Sequence, residues 1–319
     1  MGKFLKTWAG ECSAWECDGL GHLNMRHYMT KAMQARQMFF IRAGLHEAFK
    51  ADAFSTVRVT DFHIKYLGEA RPDNPLYIET GLLELGEQTV QLCHIMFHGD
   101  GRIAATIVEN IDHISLRTKA AFPWPKRFAA AVKPYKVEQP QPSKPRNLSY
   151  ETKPWKPHED DIKKLTAKHI GSGVFQPFEM GVDGSVTPQA LMGRTTETIA
   201  HMVDGYPEFL DPDYHASGKS GALLEAQIFI HRPAEAGDGY HFYSGLMQGN
   251  AYTRQLVHHI FDVVTGECFF SMIGDGCLFD LKARKLIKAS DEQVAALQNN
   301  VVEGLRAVSY THLTLPTKA

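Results

Sequence analysis

From Met25 onward the apolar residues Met25, Tyr28, Met29, Ala32, Ala35 and Phe39 recur at three- and four-residue intervals, the period of one helix face. Asn24 stands where an N-cap is needed, and Gly44 where a helix can stop. The period then changes. The runs STVRVTDFHIKYL (55–67), PLYIETGLLELG (75–86), QTVQLCHIMFH (88–98) and, after a GDG turn, RIAATIVENIDHISL (102–116) are rich in branched and aromatic residues and predict β-strands. The same order then returns. GVDGSVTPQALMGRTTETIAHMV (181–203) predicts a helix with Thr187 as cap and Pro188 as first residue. ALLEAQIFIHR, GYHFYSGLMQ, TRQLVHHIFDVV and CFFSMIGDGCLFDL follow it as strands. Asp18 and Asp183 are 165 residues apart, Gly81 and Gly245 164, and Gly101 and Gly266 165. This spacing predicts an α+β chain built from a duplicated unit, one helix packed on an antiparallel sheet, with the two sheets able to join edge to edge.

Half of the sixteen prolines lie between Pro123 and Pro157, where each removes a backbone donor and disfavours helix before it. The expected organisation is a first repeat over 1–121, a largely extended proline-rich linker over 122–157 and a second repeat over 158–307. The last twelve residues, VSYTHLTLPTKA (308–319), resemble read-through of a sequencing-library adapter and are set aside from the fold.

Composition narrows the function classes. With 34 Lys+Arg against 36 Asp+Glu, the net charge of −2 argues against a nucleic-acid partner, which needs a basic surface. There is no signal-peptide h-region at the start and no run of eighteen apolar residues, so neither export nor membrane insertion is expected. Five cysteines without redox or metal spacing read as reduced thiols, and a cytoplasmic protein is expected.

The chemistry concentrates in WECDGLGHLN (15–24), just before the first helix. Glu16 and Asp18, two apart in an extended stretch, project to one side, and like charges held close prepare one carboxylate for base or nucleophile work. His22 and Asn24 follow at the mouth of the helix, where free N–H groups favour developing negative charge. Singly, each has a plainer role: Asp18-Gly19 as a turn, Asn24 as a cap, His22 as a loop histidine. Together, in this order, they point to acyl-bond cleavage.

The stretch WECDGLGHLNMRHY resembles the signature of the hotdog-fold thioesterases, in the branch containing 4-hydroxybenzoyl-CoA thioesterase and the acyl-ACP thioesterases. The resemblance implies a tandem double hotdog that hydrolyses acyl-CoA or acyl-carrier-protein thioesters, with coenzyme A present only as part of the substrate and no cofactor or metal. It implies Asp18 as nucleophile or general base, with His22 and Asn24 orienting water and the thioester carbonyl. Gly21, Met25 and Tyr28 are expected to meet substrate, the amides from Gly21 to Met25 polarising its oxygen. It also implies a homodimer or higher homo-oligomer, joined through the sheets. In the second repeat Asp183 keeps the Asp-Gly pair, while Thr187 and Gln189 replace His and Asn at the 165 offset. That half is a scaffold or carries different chemistry. Glu197 is a candidate because some hotdog enzymes place a catalytic Glu on the helix, but it points away from the apolar face of Leu191, Thr195, Ile199 and Met202.

Other features carry less. His258 and His259 are adjacent on a strand and must face opposite sides, and His94 and His98 lack a third ligand nearby. The methionines of the first helix suit core packing. No phosphate loop and no Gly-x-Ser-x-Gly elbow is present. A hydratase or dehydratase acting on acyl thioesters is an alternative, although its usual Asp-x-Asn-Pro-x-x-His string is absent; a non-catalytic acyl-thioester binding protein is another.

Overall fold

The computed structural model describes residues 2–148, 153–203, 206, 217–306 and 308–309. The first repeat runs β1 (Leu5–Glu11), α1 (Met25–Arg42), β2 (Ser55–Tyr66), β3 (Pro75–Leu85), β4 (Thr89–His98) and β5 (Ile103–Ser115). A short helix α2 (Lys126–Val132) and a second, α3 (Glu159–Lys163), lie in the connection. The second repeat then runs β6 (Lys168–Val174), α4 (Pro188–Val203), β7 (Lys219–Ile230), β8 (Gly239–Gly249), β9 (Thr253–Asp262) and β10 (Cys268–Asp280), and α5 (Asp291–Gln298) follows.

The strands form one antiparallel sheet in the order β1-β3-β4-β5-β2-β7-β10-β9-β8-β6, with Lys285–Leu286 adding an eleventh short strand on β10. This order is symmetric about its centre, as two copies of one unit joined through their second strands require. At the seam Phe62 pairs with Ile228 and Ile64 with Ala226. The seam is also ionic: His63 Nε2 lies 2.6 Å from Glu225 Oε1, both side chains almost wholly buried. Burial alone would raise the Glu225 carboxyl; the His63 hydrogen bond and the Arg146 and Asn147 amides outweigh it and lower it.

Both long helices lie on the same face of the sheet and cross each other. Tyr28, Met29, Ala32, Ala35, Phe39 and Phe40 of α1 and Ala190, Leu191, Met192 and Met202 of α4 share one core with Phe62, Ile64, Ile107, Ile228, Phe242 and Phe270 from the strands. Of the α1 methionines, Met29 lies in the core and Met25 packs against it, whereas Met38 is exposed. Where the two helices meet, Gly193 of α4 faces the Arg26 guanidinium of α1, which would stand 3.1 Å from a Cβ at that position. Helix α1 stops where its sequence allows: Gly44 adopts φ +89 and its N–H reaches the Ile41 carbonyl.

The connection differs from the extended chain expected of it. Between Pro125 and Pro134 no proline interrupts KRFAAAV, so those residues form α2. Phe128 and Val132 are fully buried in the common core, and Phe128 stacks on Trp124 (4.4 Å) and Phe40 (5.6 Å). Further on, the segment crosses the sheet face opposite the helices. Val137 and Phe4 cover Leu83, Cys93, Ile95 and Val108, while Leu148, Ile162, Val302 and Leu305 join Val257, Phe261 and Ile273. The faces through which sheets were expected to dimerise are in these places covered by the chain itself. Val308–Ser309 pairs with Lys153–Pro154; residues 310–319, the rest of the suspected read-through tail, lie outside the described residues.

Candidate active site

The loop before α1 is built around Glu16. Its carboxylate accepts from the Ser13 N–H (3.0 Å) and from Lys31 Nζ of α1 (2.6 and 2.8 Å), and its carbonyl accepts from the Asn24 N–H (2.9 Å). Glu16 therefore ties the start of the loop, its end and the helix together. The expectation that its charge works against Asp18 is not met, because Lys31 balances it. Between these anchors Cys17 and Leu23 form a bridge, the Asp18 N–H donates to the His22 carbonyl (2.8 Å), and Gly21, at φ +76, donates back to the Asp18 carbonyl (3.0 Å). Residues with a Cβ adopt that backbone region at a cost, so Gly21 serves the turn itself.

On this loop the Asp18 carboxylate is exposed. One oxygen, Oδ1, accepts from the Leu20 (2.9 Å) and His22 (3.2 Å) amides; Oδ2 has no partner among the described residues. Asp18 thus forms the turn with one carboxylate oxygen and leaves the other without a partner among the described residues. His22 Nε2 lies 3.2 Å from Glu69 Oε2 and 3.4 Å from Arg71 Nη2. Asn24 caps α1 by accepting from the Arg26 N–H (3.0 Å), which leaves its side-chain NH2 to donate elsewhere.

Two expectations change here. Of the amides from Gly21 to Met25, the first four are already committed, to Asp18 O, Asp18 Oδ1, Ala70 O and Glu16 O; only the Met25 N–H donates to no described residue. It alone remains to meet a developing oxyanion. Tyr28 is almost wholly buried, at 4% exposure. It is buried edge-on against Tyr66 (5.1 Å), and burial pushes its hydroxyl well above the ordinary tyrosine range. The helical spacing that marked Tyr28 as apolar was the better guide to its place.

The second repeat reuses the frame at a different offset. Helices α1 and α4 begin 163 residues apart, as do the bridges Cys17–Leu23 and Met180–Val186. Glu179 repeats Glu16, accepting from the Gln176 and Thr187 amides, and Arg194 repeats Lys31. Gly184 at φ +77 repeats Gly21. The offset grows to 164 at the paired Thr80–His94 and Ser244–His258, so the change in length falls in a connection between the elements. In the loop Gly181 therefore stands at the place of Asp18, Ser185 at that of His22 and Thr187 at that of Asn24. Asp183 matches Leu20 and Gln189 matches Arg26, contrary to the 165 register of the sequence reading.

Asp183 is also differently used. It is buried, and its carboxylate accepts from Arg58 Nε of the first repeat (2.7 Å), Ser185 Oγ (2.5 Å) and the Ser185 N–H (3.2 Å). Thr187 donates its hydroxyl to the Glu179 carbonyl (3.0 Å) instead of capping α4. Gln189 Oε1 is buried without a partner among the described residues. Glu197, half-exposed, joins the helices by pairing with Arg26 of α1 (3.4 Å) and Arg194. A cleft lined by Arg36, Gln37, Phe49, Arg58, Asp183 and Thr187 opens beside this second loop.

His94, His258 and His259 are held in the strands by hydrogen bonds. His94 Nδ1 meets Thr80 Oγ1 (2.8 Å) and its Nε2 meets Glu109 (3.2 Å), which also accepts twice from Arg36 (2.7 and 2.8 Å). His258 turns inward to Ser244, whereas His259 turns outward to Ser271 and the Arg306 carbonyl, as adjacent strand residues must. The sequence reading missed Lys31, Glu69, Arg71 and Arg284 around the loop. Lys31 lies four residues after His27 on the helix, but only the fold shows that it turns back to Glu16. Glu69 and Arg284 are brought in from a turn and from the other repeat, and no spacing announces them.

Comparison with known proteins bears on the first repeat and on the fold. Residues 12–132 match the family model described as the thioesterase-like superfamily. No curated protein sequence matches the chain. Among solved structures the chain is similar to an oleoyl thioesterase assignment from Lactobacillus plantarum (TM-score 0.64, 14% identity, 86% of this chain and 96% of that one). It is also similar to an acyl-ACP thioesterase from Bacteroides thetaiotaomicron (0.59, 10%, 84% and 96%) and to the 12:0-ACP thioesterase of Umbellularia californica (0.57, 10%, 84% and 92%). At these identities the likeness is one of fold, and it extends over both repeats.

Proposed function

We propose that this chain, whose first repeat belongs to the thioesterase-like superfamily, is a thioester hydrolase that cleaves acyl-CoA or acyl-carrier-protein thioesters at the Asp18 loop. The observation that carries the reading is the contrast between the two repeats. They share the frame of Glu16 and Glu179, Lys31 and Arg194, Gly21 and Gly184, yet a free carboxylate stands only in the first. Were the loop only a turn, the second repeat, which forms the same turn around Gly181, shows that no aspartate is needed at that place.

In this reading the free Oδ2 of Asp18 attacks the thioester carbonyl or takes a proton from an attacking water. The Met25 N–H at the start of α1 faces the developing oxyanion, aided by the helix dipole, and the Asn24 amide donates to the carbonyl. His22 exchanges the proton that the thiolate leaving group or the water requires. Neither a metal nor a cofactor has a step in this scheme. A homodimer or larger assembly, proposed from the family resemblance, would use surfaces other than the sheet areas that the linker and C-terminal segment cover, and light scattering measures it directly.

The test is thiol release from a panel of acyl-CoA and acyl-carrier-protein substrates. Release by the wild type, lowered about 10²- to 10⁴-fold in Asp18→Asn and retained in Asp183→Asn, is the expected result. Full activity of Asp18→Asn overturns the assignment. Water addition without thiol release identifies a hydratase instead, and tight binding without turnover a binding protein.

A further inference from the structure

We propose that Glu69 is a positioning residue for His22 and that the second repeat, through Arg284, holds Glu69 in place. The inference rests on the thioesterase reading and adds a carboxylate–histidine pair to it.

Glu69 lies just beyond β2, in a turn fixed against the Asp18 loop by the Leu23 N–H, which donates to the Ala70 carbonyl at 2.8 Å. Its Oε2 lies 3.2 Å from His22 Nε2, with the two side chains 27% and 12% exposed. The same oxygen meets Arg284 and lies 3.8 Å from Arg71 Nη2. Arg284 comes from the tip of the hairpin after β10, where it adopts φ +59 and its N–H donates to the Asp280 carbonyl (2.8 Å). An ionised carboxylate can only accept. Nε2 also lies 3.4 Å from Arg71 Nη2, which can only donate, so these two neighbours call for opposite tautomers; in this proposal the nearer contact, Glu69 at 3.2 Å, places the proton of a neutral His22 on Nε2 and leaves Nδ1, which no described residue hydrogen-bonds, a lone pair for water or substrate. Glu69 holds the ring so that Nδ1 faces the reacting water or substrate and can exchange a proton with it.

The second repeat shows that the pair is not needed to build the loop. There Ser185 takes the place of His22, and the Val186 N–H donates to the Ala234 carbonyl (2.8 Å) as Leu23 does to Ala70, which puts Pro233 at the place of Glu69. The aspartate, the histidine and the glutamate are absent together while the turn they sit on is kept. The hairpin tip is kept too: Lys119, at φ +58 in the first repeat, reaches across to the Asp183 carbonyl (2.7 Å), as Arg284 reaches across to Glu69. Each repeat thus braces the other's loop, but only one brace ends on a carboxylate beside a histidine.

The experiment combines kinetics with 15N spectra of histidine-labelled protein, the His22 signals being assigned by their loss in His22→Gln. Wild type is expected to show the Nε2–H tautomer for His22. Glu69→Gln is expected to lose that preference and to lower kcat about tenfold or more at nearly constant KM, part of the ~10²- to 10⁴-fold that a positioned acid–base group supplies. Glu69→Asp should recover part of both, and Arg284→Met should shift both in the same direction by less. An unchanged tautomer in Glu69→Gln, or an unchanged kcat in a protein that hydrolyses thioesters, overturns the proposal. Should no thioester be cleaved by wild type, the function reading fails, and the tautomer of His22 still decides whether Glu69 holds it.

Discussion

Arg36→Met cuts a buried ion pair while keeping most of the side-chain volume. Glu109 is wholly buried, accepts from Arg36 Nη1 at 2.7 and 2.8 Å, and among the described residues has His94 at 3.2 Å as a further partner. Burial by itself would raise its carboxyl; the Arg36 charge and the His94 hydrogen bond outweigh that and hold it at about 2, against an ordinary 4.5. That depression corresponds to about 3 kcal/mol of stability, and removing one partner of a buried pair costs about 3–5 kcal/mol, so the two routes agree. At roughly 1.5 °C per kcal/mol for a chain of 319 residues, the melting temperature should fall by roughly 4–8 °C at pH 7. The pH dependence follows from the sign of the shift. With its pKa depressed in the folded state, Glu109 contributes fully above about 4.5, and the contribution fades as pH falls toward 2. In the variant burial dominates and the carboxyl is raised, so its stability gains as pH falls. The gap between wild type and variant should therefore narrow on going from pH 7 to pH 4, measured by thermal and urea unfolding. A gap below 1 kcal/mol at pH 7, or one that is the same at both pH values, would refute the account of a charge held in place by Arg36.

Three further outcomes are expected. Gly21→Ala meets nothing within 4 Å, so its cost is the positive φ alone, about 1–2 kcal/mol in urea unfolding, with no change in fold by circular dichroism. Asn24→Ala removes the α1 cap and should cost about 1 kcal/mol, while Asn24→Asp should restore the stability because a carboxylate caps equally well; thiol release should fall in both, since neither keeps an NH2 to donate. Phe128→Ala, within the proline-rich connection, should cost about 3–5 kcal/mol because that ring is fully buried against Trp124 and Phe40; a loss under 1 kcal/mol in thermal unfolding would show that the segment is a detachable linker after all.

The sequence by itself determined the elements and their repetition. Helical spacing from Met25 and alternating branched residues in the strands are set by local geometry, so both helices and the eight central strands could be read. The outer strands β1 and β6 could not: LKTWAGE and KHIGSGV lie at the sheet edges, mostly exposed, and carry little apolar alternation. The stretch around Asp18 could be singled out as the proposed site, because Asp, Gly, His and Asn stand within seven residues. What each of them does was decided by the tertiary structure. Glu16 looked like a partner for Asp18 until Lys31 came round the helix to it, and Asp183 looked like its twin until the helix starts set the register at 163. Whether a carboxylate is spent or free depends on cations that arrive from distant elements, Arg58 at Asp183 and Arg284 at Glu69. Spacing along one chain carries the period of a helix or strand, but not which side chains another repeat delivers across a seam.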